Sequence, residues 1–412
     1  INQKNFNNLN LFINDLRIQS FITEPKFVIT QGPININLSS IKENGQNVIF
    51  GKIDLSSAEI IFPNFFVNKK KNDFAELSFR LLDKKKFKFS YKQKDIFLKG
   101  SIDHDEYLQI NKITFSDIRI PNLIRGRAEY RNFSDHKEFN LKNATVDMSY
   151  LKKLKIKKRK KPLDIVFKNV SLKSNSKIIM ENIKGEIRVY NGIRGYANSR
   201  DSNKNETYLT FTPNKNNQTE ILISSKNAGN FLKKSQFYQN GYGGQIQIIL
   251  LYKNKDNIEG KFNIDNLRVR KAPVLAQLIS AISVVGLVDT LNGVGLLFSK
   301  IEGNFSYKDN KLELLDGTAV GPSIGLTMSG FEKFNAGDNE VQVEGLISPI
   351  YIINGVIKSI PIIGKVLGGE KGEGVFGMAY KVEGNSKKPR VFVNPLSIIT
   401  PGAFRNIFKL ND

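Results

Sequence analysis

The chain has 412 residues, of which 40% are hydrophobic, and it carries 62 Lys and Arg against 39 Asp and Glu. This apolar content excludes a disordered chain, and the absence of cysteine excludes disulfides and cysteine-ligated zinc. The formal net charge of +23 favours an anionic partner, although abundant Lys, Asn, Ile and Phe are also typical of AT-rich coding. Because the chain begins at Ile1, we expect a fragment whose signal or anchor lies upstream.

Alternating apolar and polar residues recur along most of the chain. Clear examples are Phe87-Phe89-Tyr91, Ile187-Val189, Phe262-Ile264, Leu267-Val269, Val341-Val343 and Phe376-Met378-Tyr380-Val382. A period of two residues predicts strands with one apolar and one polar face. Helical patterns between the strands are scarce, which favours antiparallel meanders over α/β layers.

A polar residue followed by glycine recurs beside these strands. The pairs are Lys99-Gly100, Arg125-Gly126, Lys184-Gly185, Glu259-Gly260, Glu302-Gly303, Ser329-Gly330, Glu344-Gly345 and Glu383-Gly384. Glycine permits a tight turn or a bulge that curves a sheet. We therefore expect strand pairs added one after another, each contacting mainly its neighbours, with an ordinary β-sandwich as the alternative.

A basic run extends from Lys152 to Lys161 and is followed by Pro162. One interpretation is a solvated loop or strand edge, where lysines discourage edge-to-edge aggregation. The other is a patch for anionic headgroups, in which Lys157, Lys158 and Arg159 contact a membrane. No zinc finger, helix-turn-helix or RNP-like signature accompanies the charge, so we predict no nucleic-acid partner.

Three short motifs resemble catalytic or metal sites, but each lacks a required part. Gly321–Gly325 matches G-x-S-x-G, yet a strand pattern follows it and both histidines precede it. Gly372–Gly377 matches G-x-G-x-x-G, yet it is also followed by a strand pattern rather than a helix. Asp103–Glu106 contains one histidine and does not continue as a calcium loop. We therefore predict no catalytic residue, no metal site, no cofactor and no enzymatic activity.

The longest apolar segment runs from Ala272 to Val288 and differs from the strand patterns around it. Pro273 suits the first turn of a helix, so we predict a helix near 272–291. Polar residues interrupt the segment, which favours a buried or interfacial helix over a membrane span. The residues at helical spacing, which we predict to contact a membrane, are Leu275, Leu278, Ile279 and Ile282. Further helices are predicted near 352–366 and 396–408.

An ordered series of motifs runs through the second half of the chain. It includes Ser225-Lys226-Asn227-Ala228-Gly229, Tyr242-Gly243-Gly244, Arg270-Lys271-Ala272-Pro273, Gly321-Pro322-Ser323-Ile324-Gly325, Ile360-Pro361-Ile362-Ile363-Gly364 and Val393-Asn394-Pro395-Leu396-Ser397. Over roughly residues 225–408, this series resembles the C-terminal region of the AsmA-like superfamily, in its YhdP-type alphaproteobacterial branch. Residues 1–220 resemble the family only in their strand pattern. We therefore divide the chain into a repeating β region, 1–224, and an AsmA-like region, 225–412.

The resemblance implies a bacterial envelope protein, anchored in the inner membrane by an upstream helix, with this region in the periplasm. The implied fold is mainly β, an elongated, curved antiparallel repeating β-groove with a few short amphipathic helices near the C-terminal end. The implied partners are phospholipids, the inner membrane and the outer membrane, between which the groove would carry lipid. The residues that would face lipid are Phe87, Phe89, Phe262, Ile264, Val341, Val343, Phe376 and Met378.

Two other functions remain open from the sequence. A non-catalytic scaffold for outer-membrane biogenesis would use the same sheet without needing an open apolar face. A binding module for an anionic polymer would instead use the basic run from Lys152 to Lys161.

Overall fold

The computed structural model describes residues 8–13, 18–19, 28–31, 33–43, 46–62, 67–83, 85–107, 109–148, 161–174, 176–254, 257–282, 286–335, 338–349 and 378–394. The chain forms two compact units, unit 1 from Ile1 to Ser199 and unit 2 from Arg200 to Asp412. Both units are mainly β, so the predicted fold class is confirmed. Alternation of apolar and polar residues is the physical reason, since it suits a pleated strand with two unlike faces.

Unit 1 holds sixteen described strands. They are β1 (Asn8–Ile13), β2 (Ile18–Gln19), β3 (Val28–Gln31), β4 (Ile34–Glu43), β5 (Gln46–Asp54), β6 (Glu59–Phe62), β7 (Val67–Lys69), β8 (Ala75–Asp83), β9 (Lys86–Gln93), β10 (Ile96–His104), β11 (Ile110–Ile120), β12 (Ile124–Asn132), β13 (Lys137–Asp147), β14 (Leu163–Ser174), β15 (Lys177–Val189) and β16 (Ile193–Arg200), whose last residue begins unit 2. Strands β1, β4, β5 and β8 to β16 pair in that order, and β2, β3, β6 and β7 form a small second sheet.

Unit 2 continues the same pattern with helices at one end of its sheet. Its strands are β17 (Glu206–Pro213), β18 (Thr219–Ser225), β19 (Gly241–Tyr242), β20 (Gln245–Asn254), β21 (Asn257–Val269), β22 (Leu296–Lys308), β23 (Lys311–Val320), β24 (Ile324–Lys333), β25 (Glu340–Pro349), β26 (Met378–Asn385) and β27 (Arg390–Asn394). Its described helices are α1 (Ala228–Lys234), α2 (Pro273–Ala281) and α3 (Leu287–Asn292). The strands pair antiparallel in chain order, except that β18 pairs with β20 and the short β19 lies beside β21.

One strand pair departs from the predicted antiparallel arrangement. Strands β13 and β14 run parallel, with Lys137 opposite Leu163 and Asp147 opposite Lys173. Parallel neighbours require a connection that returns along the length of the first strand. Residues 148–162 form this connection, and they include the basic run, whose residues Lys157, Lys158 and Arg159 lie outside the described part of the chain. The sheet of unit 1 is therefore mixed.

The helix predicted near 272–291 is two helices, α2 and α3. Pro273 occupies the first position of α2, as predicted, because its missing N–H needs no partner there. Helix α2 ends at Ala281, with Ile282 as its C-cap, and α3 starts after Gly286, whose φ of +82° lies in the left-handed region that glycine favours. The helices predicted near 352–366 and 396–408 lie outside the described residues. The predicted boundary at 224/225 falls within β18, one residue before its end, and the whole of this strand belongs to unit 2.

The polar–glycine repeat has two structural roles. Some of its glycines mark register shifts, as predicted: Gly100 lies at a shift between β10 and β11, and Gly126, with a φ of +149°, lies at one between β12 and β13. Others lie beneath an aromatic ring of the next strand. A Cβ on Gly260 would lie 2.7 Å from Cζ of Phe305, which is closer than carbon atoms can approach. The ring therefore occupies the space that any other residue would fill.

We expect Gly260→Ala to displace the Phe305 ring and to lower the free energy of unfolding by about 1–3 kcal/mol, the usual cost of overpacking. Chemical denaturation of the purified chain measures this loss. The control is the double variant Gly260→Ala/Phe305→Leu, in which the smaller side chain removes the clash with the ring, although the carbonyl oxygen of Ile249 still lies 2.9 Å from the new Cβ. The Ala substitution should therefore cost less in this background. If Gly260→Ala costs the same with Phe305 and with Leu at position 305, the conclusion that the Phe305 ring packs directly against Gly260 is wrong.

Candidate functional site

The hydrogen-bond register of unit 1 aligns the apolar residues of neighbouring strands. Phe89 on β9 lies opposite Phe79 on β8 and Gly100 on β10, and Gly100 in turn lies opposite Phe115 on β11. Directly paired residues point to the same side of a sheet. The rings of Phe89 and Phe115 meet edge to face, with centroids 5.9 Å apart. These rows form one continuous surface, which we call the apolar face of unit 1.

Unit 2 has an equivalent surface, the apolar face of unit 2. Phe262 on β21 lies opposite Ile248 on β20 and Gly303 on β22. Four strands further on, Val343 on β25 lies opposite Val382 on β26. The residues that flank Phe262, Gly303, Val343 and Val382 are polar and point to the other side of the sheet. Each unit therefore has one apolar side and one polar side.

The opposite faces of the two sheets carry charged residues in ion pairs. In unit 1, Arg188 donates to both oxygens of Asp164, at 2.6 and 2.7 Å. In unit 2, Lys300 lies 2.7 Å from Glu302. Such exposed pairs add little to stability, but the charged groups keep this side of each sheet hydrated.

One end of the apolar face of unit 2 is covered by the helices. Ile279 of α2 and Leu291 of α3 are fully buried against Phe298, Leu326 and Ile347 of the sheet. Next to them, α1 packs on Ile246, Ile264 and Leu267 through its side chain Leu232. This end of the face is therefore an ordinary protein core.

The rest of each apolar face is less covered. In unit 2 the side chains of Phe262, Phe305 and Val341 are only half-buried, as are Phe87 and Phe139 in unit 1. A second protein layer would bury such large apolar groups almost completely. Among the described residues, the extensive contacts of these strands are with their paired neighbours. We call these half-buried parts the uncovered faces of units 1 and 2.

The predicted lipid-facing residues divide into three groups. Phe87, Phe89 and Val341 are half-buried on the uncovered faces. Phe262 is half-buried where the uncovered face of unit 2 meets the α1 cluster, and Val343 and Met378 border the end covered by α2 and α3. Ile264 is buried beside α1, so the structure corrects its assignment to an open surface. Phe376 lies outside the described residues. Phe305, Phe115 and Phe139 also lie on the uncovered faces and were not predicted, although polar residues flank each of them in the sequence and could have identified them.

The predicted membrane contacts of the apolar helix are largely wrong. Leu278, Ile279 and Ile282 are buried against the sheet, and only Leu275 is half-buried. An apolar helix face packs equally well on a protein core or in a membrane interface, so spacing alone does not separate the two. Within the described residues, no helix has the length and apolarity required to cross a membrane.

The motifs that resemble catalytic or metal sites have structural roles where they are described. The backbone N–H of Gly321 donates to the carbonyl of Ile324 in a turn, and strand β24 starts at Ile324. His104 Nδ1 lies 2.7 Å from the carbonyl oxygen of Asp105, and the ring packs beside Phe87. No cluster of three His, Asp or Glu residues suited to a metal ion occurs in the described part of the chain.

A polar network fixes α1, the helix that covers one end of the apolar face of unit 2. Asp201 Oδ2 accepts from Asn230 Nδ2 of α1 at 2.9 Å, and its Oδ1 accepts from the backbone N–H groups of Asn203 and Asn205. Asn227 caps the helix by accepting from the N–H of Asn230 at 3.0 Å. Burial alone would raise the pKa of Asp201, but hydrogen bonds from Asn205, Asn230 and Asn203 outweigh it and lower the pKa.

Comparisons of this chain with protein-family models, with curated proteins and with solved structures found no match.

We expect Asp201→Asn to lower the melting temperature at neutral pH, because an amide replaces one accepting oxygen with a donor. The sign of the pH effect follows from the lowered pKa of Asp201. Its stabilisation is present at neutral pH and is lost below about pH 4, as the carboxylate is protonated. The melting temperature of the wild type should therefore fall more steeply in acid than that of the variant, whereas Asp309→Asn, in an exposed turn, should follow the wild type. Parallel pH profiles for Asp201→Asn and the wild type would contradict this role.

Proposed function

We propose that this chain carries phospholipids along the uncovered faces of its two units, without catalysing a reaction. The observation that carries the proposal is the row of large apolar side chains that neighbouring strands align and leave half-buried, such as Phe262 and Phe305. Contiguous apolar side chains that protein leaves partly open are typical of sites that bind an apolar partner. An acyl chain would lie on this surface while its headgroup stays in water.

The proposed mechanism is the partition of an acyl chain from water onto an apolar protein surface. Moving one CH₂ group out of water is worth about 0.8 kcal/mol, so an acyl chain of about 15 carbons costs about 12 kcal/mol to expose. A surface that covers the chain removes most of this barrier. Since bilayer and protein surface are both apolar, movement along the uncovered face changes the free energy little, and the direction of net flow must come from another source.

The proposed location is the bacterial cell envelope, with an inner-membrane anchor upstream and this region in the periplasm. The support is the resemblance of residues 225–408 to the AsmA-like superfamily, together with a mainly β fold that has one apolar and one polar face. In this proposal the lipid moves between the inner and outer membranes. A scaffold for outer-membrane biogenesis would place a protein, rather than lipid, on the same faces.

We expect Val341→Asp/Val343→Asp to reduce the phospholipid that co-purifies with the chain by about tenfold or more, since two charges replace apolar contacts. Quantitative mass spectrometry of the bound lipid is the measurement. The matched control is Gln342→Asp, which places one charge between them on the polar side of β25 and should leave lipid unchanged. Circular dichroism and the melting temperature establish that each variant is folded.

Photo-cross-linking tests the same face without adding a charge. With benzoylphenylalanine at Phe305, we expect phospholipid adducts. The same group at Leu315, which is exposed beside a bulge on β23, should give few. Adducts to protein at Phe305 would support the scaffold instead, and equal lipid adducts at both positions would contradict a specific surface.

A further inference from the structure

The helix-bearing end of unit 2 presents two exposed apolar loop tips. Phe237, which follows α1, and Val294, which follows α3, each expose 73% of their accessible surface. Strands β18 and β21 end here, and β20 and β22 begin here, so both loops lie at the same end of the sheet. Among the large apolar side chains of the described residues, only Tyr107 exposes a larger fraction of its surface than these two.

Hydrogen bonds hold the two loops on either side of the segment that follows β21. Tyr238 donates its hydroxyl to the carbonyl of Arg270 at 2.6 Å, and the N–H of Arg270 donates to the carbonyl of Asn240 at 3.0 Å. On the other side, the N–H of Lys271 donates to the carbonyl of Leu291 at 3.3 Å. The two tips are therefore fixed around one basic segment.

The surroundings of the tips are strongly basic. Residues 226–244 and 268–295 contain six Lys and Arg and one acidic residue, Asp289. Lys233 and Lys271 are exposed and form no ion pair with any described residue. The guanidinium of Arg270 lies 5.2 Å from the ring centroid of Tyr242, which is also exposed. Positive charge thus surrounds the apolar tips.

We propose that this end of unit 2 docks on an anionic phospholipid bilayer. Phe237 and Val294 would enter the interface, and Lys233 and Lys271 would contact the headgroup phosphates. A bilayer matches this arrangement because its apolar layer lies directly beneath a negatively charged one. The inference uses only this loop surface and does not require that the apolar faces carry lipid.

Single tryptophan reporters test the docking, since the chain has no tryptophan of its own. In Phe237→Trp and Val294→Trp, we expect the emission to shift to shorter wavelength on vesicles of phosphatidylcholine and phosphatidylglycerol, and to be quenched by brominated lipid. The control reporter is Phe334→Trp. The backbone N–H of Phe334 donates to the carbonyl of Asn310 at the opposite end of unit 2, so this reporter should show neither change. No shift at Phe237 and Val294, or an equal shift at Phe334, would overturn the proposal.

Charge removal supplies the second measurement. Each of Lys233→Gln and Lys271→Gln should weaken vesicle binding about fivefold, the effect of one basic residue near an anionic surface. Lys387→Gln/Lys388→Gln removes two exposed lysines from the turn between β26 and β27, at the opposite end, and should leave binding unchanged. An equal loss in this control would mean general electrostatic attraction and would overturn the proposal. If the chain binds vesicles but Phe305 gives no lipid adducts, the docking proposal stands and the proposal that the apolar faces carry lipid fails.

Discussion

The structure depends on sheets whose apolar side chains are only partly covered by protein. Burial of apolar surface is the main driving force of folding, at about 25 cal/mol per Å². A half-buried row such as Phe87 and Phe89, or Phe262 and Phe305, therefore leaves part of this free energy unused. The remaining apolar surface is available to another apolar molecule, and this availability is the physical basis of the proposed function.

Four features allow such a sheet to remain folded. Long antiparallel ladders satisfy the backbone groups, and neighbouring apolar side chains bury part of each other's surface. Aromatic rings also lie over glycines of the next strand, as Phe305 does over Gly260, so the ring contacts the backbone directly. Finally, a true core occupies one end of the unit 2 face, where Ile279 and Leu291 are completely buried. This covered end stabilises the sheet while the other end remains accessible.

Much of the fold could be predicted because a period of two residues is typical of strands and fits a helix poorly. The alternation placed Phe87, Phe262 and Val341 on the apolar faces without any knowledge of their partners. The parallel pairing of β13 and β14 could not be predicted, since its strands alternate like antiparallel ones. The apolar helix was recognised, but spacing does not reveal whether Ile279 meets a membrane or a sheet. The exposed tips Phe237 and Val294 were missed because a single apolar residue in a loop has no periodic signal.

Direct observation of what lies on the uncovered faces is the most decisive test. A cryo-electron-microscopy map of the chain purified from phospholipid membranes would show the space above Phe262 and Phe305. We predict elongated, unbranched density there, continuous with headgroup density at the edge of the sheet and not connected to the polypeptide. Density of a protein layer over these side chains, with no space for an acyl chain, would contradict the account.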